Sequence, residues 1–429
     1  MSLLPSSTPS LLANLLAFGA SEMSGKATRL LVVVAISRTL SAESVGYAAA
    51  ALALGEILKS LTENGIGQRI IAAHKDDLEA ICSSAHRLFW GYCVGLTALQ
   101  MGLGLGLYLA GQTTVGALVG LMAIEYLFMP AGLVQVALAM REDRLKRVAV
   151  ISAAQVSGAN LITVALAFAW ASPLVLVLPR VLTAPIWLVA VRRLRPWQRP
   201  SKATMAPLRP FLNYGLPVTG IELVKALRLH ADKIVVGALL GPKALGIYFL
   251  AFNAGLSLAT SYCAALSIVL FPHLCQEADQ FKALRRTAGL SIICILPFVL
   301  LQAAFAPYYV PLLLGAKWAH IAPTVSILCF AALPLSIWTA VAASLRVSRR
   351  PKVEFIVTLI LTIALIFSAI IAAPYGLGAM AIAYVVTTTI ILLAAALPHL
   401  TSPSSKTSER FDPCLNLQSS CRVSTPQKR

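Results

Sequence analysis

The sequence predicts an all-α integral membrane protein, and three observations carry that prediction. Hydrophobic residues make up 58% of the 429 residues and charged residues only 12%, whereas a soluble domain carries about a quarter charged residues. The mean hydropathy is +0.80. The apolar residues come in blocks near the ~20 residues that a membrane-spanning helix needs, separated by short loops.

In chain order these blocks place about twelve helices. The first, 11–37, stops at Arg38, and 44–72 follows the short connection Ser41 to Val45. The pair 82–110 and 113–140 lies between a loop holding Lys75 and Arg87 and one holding Arg141, Arg144, Lys146 and Arg147. Next come 148–170 and 172–191, closed by the longest connection, which holds Arg192, Arg193, Arg195, Arg199, Lys202 and Arg209. Segments 211–239 and 244–272 are joined through Gly241 to Leu245 and precede Lys282, Arg285 and Arg286. Segments 287–305 and 321–345 precede Arg346, Arg349, Arg350 and Lys352, after which 353–373 and 377–399 complete the set. Several are longer than the hydrocarbon core needs, which tilt absorbs.

The loops sort by charge. Alternate connections hold nineteen basic residues, and the intervening ones hold Arg38, Lys243 and Lys317. Basic loops stay on the cytoplasmic side, so an even number of spans puts both termini in the cytoplasm. The net charge of +18 is therefore read as membrane orientation, with no nucleic-acid partner. The segment 1–10 has no basic residue and no A-x-A site follows Ala17, which speaks against a cleaved signal peptide.

The domain reading is an N-terminal segment 1–10, a six-helix bundle 11–191, a cytoplasmic linker 192–210, a second six-helix bundle 211–399 and a disordered cytoplasmic tail 400–429. The two bundles are related by a shift of 200 residues. Leu40 matches Leu240, Gly46 matches Gly246, Ala51 matches Ala251, Gly55 matches Gly255 and Leu58 matches Leu258, and upstream Glu22 matches Glu222. Six helices per repeat keep both halves in one orientation, a parallel repeat with a substrate path between the halves.

Four runs then carry a resemblance. They are Ile36 to Tyr47, Pro210 to Pro217 with Asp232 to Tyr248, Pro311 to Trp318, and Gly376 to Ala381. In this order and spacing they resemble the polysaccharide transporter family, the Wzx-type flippases of the MOP superfamily, over residues 11–399. The resemblance implies a MATE/MOP-like, V-shaped exporter in the bacterial inner membrane. Its cargo would be polyprenyl-pyrophosphate-linked oligosaccharide repeat units for O-antigen, capsule or exopolysaccharide assembly, with a polysaccharide polymerase and export machinery as partners. MATE drug-efflux proteins share the fold, so small-molecule antiport is the alternative. Lipid II flippases of the superfamily usually have two further helices.

Ionisable residues at membrane depth are costly and mark function. Glu22, Lys26 and Arg29 share one face of the first helix, and Glu56, Lys59 and Glu63 share one face of the second. In the seventh, Glu222, Lys225, Arg228, Asp232 and Lys233 fit within an arc of about 140°. Two repeat-related basic stripes are expected to face each other across a cavity. Lys26, Arg29, Lys225 and Arg228 are the candidates to hold pyrophosphate by charge-assisted hydrogen bonds. Asn64, Gln68 and Asn253 are the candidates for sugar hydroxyls. Glu22, Glu222 and Asp232 are the candidates for ion coupling, since a carboxylate in a low-dielectric cavity takes a proton near neutral pH. The competing reading pairs Glu22 with Lys26 and Glu222 with Lys225 within their own helices. Arg38, Arg69 and Lys233 are expected to snorkel to interfaces; Arg180 in the sixth helix has no assigned role.

Other chemistry is not expected. The eight cysteines have no metal or redox spacing, Gly102 to Gly106 lies inside a helix and is no dinucleotide loop, and no cofactor is implied. Gly91-x-x-x-Gly95 and Gly116-x-x-x-Gly120 read as close helix packing. A glycan polymerase or ligase needs catalytic groups on a large external loop, and the longest such connection, Ala306 to His320, holds only Lys317 and His320 as titratable residues.

Overall fold

The computed structural model describes residues 25–62, 64–142, 144–200, 205–276, 279–348 and 350–401. The ion-coupling candidate Glu22, the segment 1–10 and nearly all of the expected tail lie outside the described residues. Among those described there are α-helices and short 3-10 turns and no strand.

The helices are α1 (residues 25–39), α2 (Ala42–Ser60), α3 (Ile66–Ile71), α4 (Leu78–Leu109), α5 (Thr113–Met122), α6 (Glu125–Phe128), α7 (Pro130–Arg141), α8 (Leu145–Ala169) and α9 (Leu178–Leu194). They continue as α10 (Arg209–Gln276), α11 (Gln280–Leu314), α12 (Ala322–Cys329), α13 (Ala332–Val347), α14 (Pro351–Ala372) and α15 (Leu377–Thr401). Among the described residues, eight helical segments are long and apolar enough to cross a membrane, or nine if the pair α5–α6 and α7, bent by 52°, is one span. This is a multi-pass membrane protein. One of the eight, α10, turns through non-helical backbone at Gly241, and α1 is described only from residue 25. A count of twelve is consistent with this arrangement.

Local sequence sets the breaks. Gly65 adopts φ 70°, a left-handed conformation open to glycine at little cost, and it divides the expected 44–72 helix into α2 and α3. The bend in the fourth segment falls at Pro130, the first residue of α7, where the missing N–H of proline is no loss. Asp279 caps α11 by accepting the Lys282 N–H at 3.0 Å. That backbone bond holds the Asp279 carboxyl below the ordinary aspartate range.

The two halves meet along α2 and the second arm of α10. A side chain on Gly46 would collide with the Pro242 carbonyl and Gly246, and one on Gly246 with the Ala42 carbonyl and Gly46. Residues 42 and 46 thus meet residues 242 and 246, their own partners in the 200-residue shift. The largest buried cluster spans this seam, with Ile36, Leu40 and Val45 from one half and Leu245, Tyr248, Trp318 and Ile321 from the other.

Three donors cross between the halves at the Leu40 end. Trp318 Nε1 donates to the Ser37 carbonyl at 2.7 Å, and Lys317 Nζ donates to the Leu40 carbonyl at 3.1 Å. Arg38 donates to the carbonyls of Leu312 at 2.8 Å and Leu313 at 3.3 Å, the last turn of α11. Arg38 therefore caps a helix of the other half instead of only reaching for an interface. Lys233 departs further from expectation. It is 6% exposed, donates to Asp232 at 3.2 Å and to the Leu229 carbonyl at 2.6 Å, and lies 3.9 Å from the centre of the Phe252 ring. Local partners replace snorkelling, because the turn at Gly241 brings the second arm of α10 over it.

Of the expected glycine contacts, Gly116 and Gly120 pack closely against Gly104 of α4, whereas Gly91 and Gly95 meet nothing. The linker rests on the first half. Ser84 donates to the Ala206 carbonyl at 2.9 Å, Arg195 to Glu142 at 2.6 Å, and His86 stands edge-on to Trp197.

Candidate functional site

A cavity of about 540 Å³ lies within the first half, walled by α1, α2, α6, α8 and α9, with Phe249 of α10 at its edge. It runs from Met140 and Leu145 to Ile36 and Leu176, where the buried seam closes it.

Each ionisable wall residue is placed by its own helix. Lys26 and Arg29 are three apart on α1, and Glu56 and Lys59 three apart on α2, so each pair shares a face. Glu125 opens the one-turn α6 at the break in the fourth segment, and Arg180 lies in the first turn of α9 just after Pro179. Lys59 Nζ stands 2.6 Å from Glu125 Oε1, a carboxylate with 9% side-chain exposure. Arg180 pairs with Glu56. Unpaired charge at this depth costs several kcal/mol, and the two carboxylates of the wall are each neutralised in this way. Among the described residues, Lys26 and Arg29 have no carboxylate in ion-pair contact. Arg29 is exposed to the cavity, and its electrostatic neighbours are Arg180 and Glu56.

The α8 wall carries no charge. It presents Ser152, Gln155, Asn160 and Thr163 among Val148, Ala149, Val156 and Ala159. Asn160 Nδ2 donates to the Gly25 carbonyl at 3.3 Å and to Thr28 Oγ1 at 2.9 Å, which ties α8 to α1. Thr163 donates back to the Ala159 carbonyl at 2.9 Å.

The structure brings together only part of the expected site. Lys26 and Arg29 line the cavity, and the α10 stripe lies off it. Lys225 pairs with Glu222 at 2.7 Å, on the same helix. The Nε of Arg228 is buried without a partner among the described residues. Asp232 is 5% exposed and accepts hydrogen bonds from Tyr248 at 3.0 Å and Lys233 at 3.2 Å. His230 of α10 lies within electrostatic reach of Glu56 and Arg29. Of the neutral candidates, Asn64 accepts the Ile66 N–H at 3.2 Å as a cap for α3, Gln68 is exposed on α3, and Asn253 donates to the Phe249 carbonyl at 2.7 Å.

Sequence reading missed Arg180, Glu125 and the α8 wall. A usable signal existed for the first two. A lone arginine in the sixth apolar segment and a lone glutamate in the fourth each require an opposite charge at membrane depth.

The chain is similar to the lipopolysaccharide biosynthesis protein WzxC of Escherichia coli (strain K12), with 22% identity over 349 residues, covering 76% of this chain and 68% of that protein. Its fold is similar to that of the lipid II flippase MurJ in an inward closed conformation, with a TM-score of 0.73 and 15% identity over 90% of this chain and 88% of the other. It is also similar to an inward-facing multidrug resistance MATE family transporter of the MOP superfamily, with a TM-score of 0.65 and 14% identity over 87% and 93% of the two chains. At such identities the two structures speak for the fold alone. The family described as "Polysaccharide biosynthesis protein" matches residues 35–323, about two-thirds of the chain and most of the cavity wall, and to that family this chain belongs.

Proposed function

We propose that this chain is a flippase that moves polyprenyl-pyrophosphate-linked oligosaccharide repeat units across the bacterial inner membrane for surface polysaccharide assembly, with both termini cytoplasmic. The observation that carries the reading is the charge balance of the cavity. Six ionisable side chains line it, Glu56 pairs with Arg180, and Lys59 pairs with Glu125. Among the described residues Lys26 and Arg29 remain, two positive charges one helical turn apart. A pyrophosphate diester carries two negative charges, and charge-assisted hydrogen bonds to a lysine and an arginine suit it. The prenyl chain needs no polar site and stays in lipid.

Export by alternating access fits a cavity closed at the Leu40 end by the interhalf seam. Among the carboxylates named for ion coupling, Glu222 pairs with Lys225 and Asp232 with Lys233; Asp232, which also accepts from Tyr248, is the buried candidate within the described residues. A polysaccharide polymerase is the partner to seek, since the translocated repeat unit is its substrate. Small-molecule cation antiport is the second reading, and two cations that no described carboxylate pairs with oppose it.

The test uses cells that make a lipid-linked repeat unit matched to this protein but lack a flippase for it. Wild type is expected to restore surface glycan and clear the inner-leaflet precursor. Failure of a well-expressed wild type to do either overturns the proposal.

A further inference from the structure

Ser152 and Gln155 on α8 are polar side chains at membrane depth that the fold itself does not use. Many hydroxyls elsewhere in these helices fold back on their own backbone, while Ser83, Ser291 and Thr388 are buried in packed protein without a partner among the described residues. Thr97 donates to the Cys93 carbonyl, Thr287 to Ala283 and Thr362 to Thr358, at 2.6–2.8 Å. Thr163, two turns further along the same helix, does the same, and Asn160 is spent on Gly25 and Thr28. Ser152 and Gln155 face the cavity and make no side-chain hydrogen bond among the described residues. An amide at this depth without a partner costs several kcal/mol, so its place on the cavity face of α8 calls for a ligand or water from the cavity.

Resting on the flippase reading above, we propose that Ser152 and Gln155 bind the sugar hydroxyls next to the pyrophosphate and set which glycan is accepted. The cavity divides its chemistry between walls. Charge belongs to α1, α2, α6 and α9, while α8 offers a neutral hydroxyl and a neutral amide. A primary amide presents donor and acceptor side by side, the pattern that matches adjacent hydroxyls on a sugar ring. Position agrees as well. Gly25 touches α8 at Val156 and Asn160, which sets Lys26 beside that level. Gln155 and Ser152 lie five and eight residues from Asn160 toward Leu145, about 7 and 12 Å along the axis. A headgroup held by Lys26 and Arg29 thus presents its first sugar to Gln155 and Ser152 on the cytoplasmic side of the anchor.

The experiment compares two probes on purified protein in lipid nanodiscs: bare polyprenyl pyrophosphate, and the lipid-linked glycan extracted from cells in which the protein works. Gln155→Met keeps length and volume while removing the hydrogen bonds; Ser152→Ala removes the hydroxyl. The double variant is expected to bind the glycan-bearing lipid about tenfold more weakly, as the loss of two hydrogen bonds requires, and the bare anchor within about twofold of wild type. Lys26→Ala with Arg29→Ala is expected to weaken both probes alike. Equal loss of both probes in the α8 double variant, or no loss of either, overturns the sugar-wall assignment. So does a wild type that binds the bare anchor and the glycan-bearing lipid equally well. A wild type that binds neither probe while retaining a cooperative thermal transition overturns the flippase reading with it.

Discussion

Gly46 and Gly246 pack backbone against backbone, each occupying the space that a side chain on the other would need. They stand 200 residues apart, the spacing of the sequence repeat. Alanine at either position forces the seam apart, and overpacking of this kind costs about 1–3 kcal/mol. Gly46→Ala and Gly246→Ala are therefore expected to lower the thermal transition by similar amounts, read by the unfolding of detergent-purified protein. Loss at one position only would show that the contact is not symmetric.

Cavity charge predicts a contrast between α1 and α10. Lys26→Ala and Arg29→Ala each remove one charge-assisted hydrogen bond, worth about 1.5–3 kcal/mol, and each is expected to reduce flipping at least about tenfold. Lys225→Ala leaves Glu222 without its partner but lies off the cavity, so flipping is expected to stay within about twofold of wild type. Inner-leaflet precursor at matched expression measures both.

The pair Glu56–Arg180 predicts non-additive stability. Removing one charge strands the other in the cavity wall. The pair is about one-third exposed, so the cost falls below the ~3–5 kcal/mol of a fully buried pair, at about 1–3 kcal/mol. Glu56→Gln and Arg180→Gln are each expected to destabilise, and the double variant to regain part of the loss. A double-mutant cycle on thermal unfolding reads the coupling, and strict additivity would mean that the two do not interact.

The donors at the Leu40 end predict a conformational shift. Trp318→Phe deletes the bond to the Ser37 carbonyl, and Lys317→Met the bond to Leu40. Together they are expected to raise labelling of a cysteine placed at the cavity residue Leu52 by an impermeant thiol reagent added from outside intact cells. Unchanged labelling would show that these bonds do not hold the cavity shut.

Much of the architecture was legible because hydropathy and loop charge act over short windows. The expected segments are largely helical where described, with breaks at Gly65, before Pro130 and at Phe330, and the turn between the seventh and eighth falls at Gly241 as expected. The contents of the cavity were less legible, for a definite reason. Glu56 meets Arg180, and Lys59 meets Glu125 66 residues away, so no periodicity within one helix encodes either pair. The α10 stripe lies off the cavity for the opposite cause. Its residues do share a face, yet Asp232 finds Tyr248 sixteen residues on, across the Gly241 turn, and the stripe is partly consumed inside its own half. Gln155 and Ser152 gave no charge signal at all, and only the cavity marks them out.

At the Leu40 end, Arg38, Lys317 and Trp318 all donate to backbone carbonyls, never to side chains. A donor that reads main chain places no demand on which side chain stands at the acceptor. The exposed acceptors Leu312 and Leu313 are free to drift in evolution as long as their helix end keeps its course, whereas the buried Ser37 and Leu40 are held by packing and the three donors by their bonds. Substitution tolerance at this closure should therefore be uneven, strict at the three donors and permissive at Leu312 and Leu313.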